Sequence, residues 1–107
     1  MEADVMAKAV DLAETIRTAK HSHAFEKAVE GFVRVLATVP DFGPAAFSDD
    51  AVGSLQDLSE QVIAEIEQRV STQHDSASVQ QNIVEAVYDI RRALEDIDRR
   101  RRHSRGV

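Results

Sequence analysis

Apolar residues recur along this chain at the three-and-four spacing of an amphipathic helix, and they do so in four separate blocks. The first runs over residues 4–19, where Val5, Ala9, Leu12, Ala13 and Ile16 share a stripe opposite Glu14 and Arg17. Lys20-His21-Ser22 interrupts it. A second block over 23–39 aligns Phe25, Ala28, Val29, Phe32, Leu36 and Val39, with Ser22 placed to cap its start. Val33 and Val35 widen that stripe on both sides, so the second helix is expected to meet more than one neighbour, with Gly31 either exposed or at a close crossing.

Pro40-Asp41-Phe42-Gly43-Pro44 cannot continue a helix, because two proline rings fix φ and restrict the residues before them. Phe42 and Phe47 are expected to fold back onto the core. Ser48 or Asp49 then caps a third helix over 49–70, with Val52, Leu55, Leu58, Val62, Ile66 and Val70 inward and Asp49 and Asp50 complementing its amino-terminal dipole. After a polar turn, Ser78 and Gln81 have capping-box spacing, although Ser76 is placed to cap instead. A fourth helix follows over 77–102, with Val79, Ile83, Val87, Ile90, Leu94 and Ile97 in one seam.

Four amphipathic segments with one long and two short connections read as an all-α fold, an antiparallel four-helix bundle, standing alone or as an intertwined or packed homodimer. The domain is expected over 1–103, with 104–107 as a flexible tail. Composition agrees with helices over sheets. Four Gly and two Pro leave little turn chemistry for a multi-stranded sheet. No stretch approaches the ~18 to 20 apolar residues of a membrane span. The acidic start Met1-Glu2-Ala3-Asp4 is unlike a signal peptide, and the chain has no cysteine, so a cytoplasmic location without disulfides or thiolate chemistry is the expectation.

Charge changes the picture at one end. Residues 1–97 hold eight Lys and Arg against eighteen Asp and Glu, a net of −10, whereas residues 98–107 hold five Arg against one Asp, a net of +4. The basic end suggests contact with phosphates, and a nucleic-acid-binding regulator using this arginine cluster is an alternative reading. The acidic body and the scarcity of aromatic residues disfavour it. Local chemistry absorbs much of the run: Glu95, Asp96 and Asp98 each precede an arginine by four residues, the favourable order for an intrahelical pair, and arginines suit the negative end of a helix dipole. Arg101, continuing the seam beyond Ile97, and Arg105 on the tail remain as candidate partner contacts.

Candidate chemistry is sparse. His21, His23 and Glu26 form the one cluster resembling metal ligands, and a metal-dependent enzyme using them is a second alternative. His residues two apart point about 200° from each other on a helix, however, so the spacing suits an interhelix turn better. Carboxylates pair along helix faces at Asp11 with Glu14, Glu26 with Glu30, Asp57 with Glu60 and Glu85 with Asp89, a pattern that belongs to solvated surfaces. There is no nucleophile elbow, phosphate loop or dinucleotide fingerprint. No catalytic residue, cofactor or metal is therefore expected. Val84 and Tyr88 lie some 100° to 140° round from Ile83 by the ~100° step of a helix, off the main seam, and either border the core or form a second contact surface. The expected function is a non-catalytic protein–protein interaction module, a small regulator, inhibitor, immunity-type or accessory protein, bound to itself or to another protein through Val84, Tyr88, Arg101 and Arg105.

Overall fold

The helices begin and end close to the limits of the amphipathic blocks. The computed structural model describes residues 2–39, 47–72 and 77–106, with the side chains of 2, 72, 79 and 101–106 outside that description. Four helices account for almost all of it: α1 (Glu2–Thr18), α2 (Ser22–Thr38), α3 (Asp49–Thr72) and α4 (Ala77–Gly106), with no strand among the described residues. The fold is all-α.

Several boundaries differ in detail from those expected. Ser22 is the first helical residue of α2, and His21 occupies the N-cap position with extended backbone (φ −97°, ψ 138°) and no side-chain cap hydrogen bond. The helix closes there through its backbone, the amide of Phe25 donating to the carbonyl of His21 at 3.0 Å. At α3 the serine does cap: Ser48 Oγ accepts from the amide of Ala51 at 3.1 Å, while Asp49 and Asp50 sit in the first turn. α4 begins at Ala77, so Ser78 lies inside the helix rather than at its cap, and Ser76 lies outside the described residues. Its other end continues to Gly106, beyond the arginine run expected to stop it. An arginine-rich stretch costs a helix little in propensity, and glycine is a natural last residue.

The helices close a ring of contacts in the order α1, α2, α4, α3, so α1 faces α4 and α2 faces α3 across the core. α1 packs most extensively on α2. Their crossing is close at Gly31, where an added Cβ would stand 3.1 Å from Leu12 Cδ2. The molecule measures 48 × 22 × 18 Å. A 30-residue helix extends about 45 Å at the ~1.5 Å rise of an α-helix, so α4 spans nearly the whole long axis.

The core follows the stripes. All six residues of the second stripe are buried, Val39 just past the end of α2 among them, and so is Val35, because α2 packs against both α1 and α4. Val5, Ala9 and Ile16 of α1, Val52, Leu55, Val62 and Ile66 of α3, and Ile83, Ile90 and Ile97 of α4 complete it, while Leu12, Ala13, Leu58, Val70, Val87 and Leu94 pack at its margin. Phe47 is buried as expected; Phe42 and the side chain of Val79 lie outside the described residues. Ala51, Ile63 and Ser59 are further core members. Ser59 is wholly buried and donates from Oγ to the carbonyl of Leu55 in its own helix at 2.7 Å. No helix is long and apolar enough to cross a membrane among the described residues.

Candidate interaction surface

α4 buries an isoleucine every seventh residue, at Ile83, Ile90 and Ile97. Seven residues make nearly two turns, so the three stand in one line, and the line tolerates the slight drift of a straight helix because Val87 and Leu94 fill between them. Val84 lies about 100° round from Ile83, and Tyr88, four residues on, continues that second line. Both are exposed, Val84 by 47% and Tyr88 by 65%. The structure thus places them outside the core, adjacent to each other in helical register.

Beside them lies a cleft of about 390 Å³ between α3 and α4. Ile66 and Val70 of α3 and Ile83 and Val87 of α4 form its apolar walls, with Val84 and Tyr88 along one side and Glu67, Ser71 and Arg91 at its edges. α3 and α4 share the least extensive of the four packed seams, which is why the cleft opens there. Arg91 reaches across to Glu67 at 3.8 Å, with both side chains about half-exposed or more. At such exposure an ion pair contributes about 0 to 1 kcal/mol, so the bridge ties α3 to α4 only weakly.

Of the arginines, Arg99 pairs with Asp96 at 3.3 Å, three residues back, rather than with Glu95 four back. Arg92 does the same with Asp89 at 4.0 Å. The side chains of Arg101 and Arg105 lie outside the described residues.

Two other clefts have a different character. One of about 530 Å³ runs between α1 and α2, with Asp4, Lys8, Arg34 and Thr38 around Val5, Leu12 and Val35, a mixed-charge rim over the Gly31 crossing. The other, of about 420 Å³, is built around Arg69, whose guanidinium lies over the Phe25 ring and donates to the carbonyls of Ala19 and Lys20. Those bonds close the end of α1 against α3, a structural task. Nearby, Glu14 hydrogen-bonds the Arg17 guanidinium and holds its pKa above the ordinary arginine value. Arg69 is the residue that sequence reasoning missed. Its position, seven after Val62 and three after Ile66, places it on the apolar stripe of α3, and that was the available signal.

The groups considered for chemistry are scattered. His21 and His23 are both exposed, and the described residues hold no group of three His, Asp or Glu able to share a metal ion. Of the four carboxylate pairs, every member is exposed except Glu26, which is half-buried with Oε1 shut off from solvent and without a hydrogen-bond partner among the described residues. Comparison with protein-family models, with curated proteins and with solved structures finds no match to this chain.

Proposed function

We propose that this chain is a non-catalytic helical module that binds protein, serving as a small regulator, inhibitor, immunity-type or accessory protein of the cytoplasm, as a homodimer or in a hetero-complex. The observation that carries the proposal is the exposure of Val84 and Tyr88 beside an apolar cleft between α3 and α4. An apolar cleft with an exposed aromatic at its side, rimmed by polar groups, is the anatomy of a recognition surface.

The scaffold we propose for this surface is a four-helix bundle made of two antiparallel hairpins. Leu12 beside Gly31 supports the first hairpin, and Glu67 opposite Arg91 supports the second. Arg69, near the end of α3, bonding carbonyls just past the end of α1 supports the docking of one hairpin on the other.

The test is a double variant, Val84→Asp with Tyr88→Ala, which replaces two exposed side chains. Its circular dichroism should match the parent, while association seen by light scattering or by co-purification from the source cell should be lost. A parent that is monomeric across the micromolar range and recovers no protein from its source cell overturns the proposal. Unchanged association in the variant moves the binding surface away from α4.

A further inference from the structure

We infer that the surface beside Tyr88 is covered by a second copy of this chain, the two α4 helices crossing in opposite directions about a two-fold axis at Tyr88. This names the partner for the protein-binding surface proposed above and rests on that reading. Charge beside Tyr88 on α4 is placed in a way that selects this partner. Residues 77–90 contain two acids, Glu85 and Asp89, and no base, whereas residues 91–106 contain seven arginines against three acids. α4 is therefore a rod, negative in its first half and positive in its second. About a two-fold axis at Tyr88 only residues 77–99 of the two helices face each other, and there residues 91–99 hold three Arg against three acids, so the choice of partner rests on the charges nearest the axis.

Those nearest charges are complementary. Glu85 stands three residues before Tyr88 and Arg91 three residues after, so a two-fold axis at Tyr88 opposes Glu85 of each copy to Arg91 of the other, twice. Glu85 is exposed, and Arg91 is about half-exposed and, among the described residues, pairs with Glu67 at 3.8 Å, which leaves both accessible to a second chain. The same axis places Tyr88 against its own symmetry mate and brings Val84 opposite the aliphatic stem of Arg92. A self-complementary patch of this kind is what an isologous dimer requires, because one surface must serve as both partners. Tyr88 and Val84 are two of the three large apolar side chains most exposed among the described residues, and the pairing covers both.

Sedimentation velocity over the micromolar range tests it with four proteins: the parent, Glu85→Arg, Arg91→Glu and Glu85→Gln. The parent should dimerise, and each single variant should weaken self-association by about tenfold or more, since both symmetry-related contacts become repulsive. An equimolar mixture of the two variants should recover the dimer, because in the mixed pair an acid again faces a base at both contacts. Far-UV circular dichroism of each variant alone checks that the helices persist, and Glu85→Gln, which removes charge without adding repulsion, should fall between parent and Glu85→Arg. A parent dimer indifferent to all three substitutions overturns the two-fold at Tyr88. A monomeric parent overturns the second copy; if Tyr88→Ala then abolishes binding to a co-purifying protein, the broader protein-binding reading survives, and if no protein co-purifies, both fall together.

Discussion

Arg69 of α3 lies over the ring of Phe25 of α2, its guanidinium carbon 4.3 Å from the ring centroid. The same side chain donates from Nη1 to the carbonyl of Ala19 at 2.5 Å and from Nη2 to that of Lys20 at 3.3 Å. Carbonyls at the end of a helix have no partner within it, and a cation there also meets the negative end of the dipole. One side chain thus joins three helices. Arg69→Met, which keeps the stem and loses the fork, should destabilise the protein by about 2 kcal/mol, from charged hydrogen bonds and the ring contact together. Arg69→Lys should recover less than half of that, because an ammonium cannot stack and fork at once. Urea unfolding followed by helical circular dichroism measures both.

The glycines inside α2 and α3, Gly31 and Gly53, separate propensity from packing. Nothing lies within 4 Å of a Cβ added at Gly53, so Gly53→Ala should raise stability by about 0.5 to 1 kcal/mol through helix propensity alone. At Gly31 the added methyl meets Leu12 Cδ2 at 3.1 Å, and the leucine must shift by a few tenths of an ångström. Leu12 borders a cleft and has room to give, so Gly31→Ala should be near neutral, while Gly31→Val should be destabilising by about 1 to 3 kcal/mol. Thermal unfolding midpoints rank the three variants.

Ser59 is the buried polar side chain whose partner is its own helix, the Leu55 carbonyl. Ser59→Ala removes the donor but strands nothing, since that carbonyl keeps its helical bond, so the change should stay within about 1 kcal/mol. Ser59→Leu overfills a wholly buried position and should cost about 1 to 3 kcal/mol. Equal effects for both substitutions would show that volume at this site is unimportant.

Along α4, neighbouring residues should differ sharply. Ile90→Ala opens a cavity at a position with no exposure and should cost about 2 to 5 kcal/mol. Tyr88→Ala, two residues earlier, should change the stability of a dilute sample by no more than about 0.5 kcal/mol. Chemical denaturation of the two variants at matched low concentration makes the comparison.

The helical stripes were legible because burial and a 3.6-residue period go together. Every residue of the second stripe is buried, and the Ser48 cap is where its hydroxyl chemistry placed it. Val84 and Tyr88 could be placed off the seam by angle, yet angle alone does not say whether a neighbouring helix covers them; that depends on how far α3 stands from α4. Arg69 was opaque for the opposite reason. A cation on an apolar stripe gives no hint of which distant carbonyls it will reach, and its partners are about fifty residues away in sequence. α2 starts one residue earlier than expected, with His21 at the N-cap position and Ser22 in the first turn, and the arginine run failed as a stop because arginine is itself a good helix former.

Because the hydroxyl of Ser59 is answered inside its own helix, the described core contains no polar pairing between helices to set how far one may slide along another. Apolar stripes repeat every turn or two, and a helix displaced by one repeat would still bury apolar surface against apolar surface. Axial position must therefore come from features that do not repeat. Two are in place: the glycine notch at Gly31 that meets Leu12, and Arg69, which stands where its guanidinium reaches the carbonyls just past the end of α1. Removing both at once should leave a protein that is still helical and still compact but no longer uniquely aligned, recognisable by broadened side-chain resonances where the parent gives sharp ones.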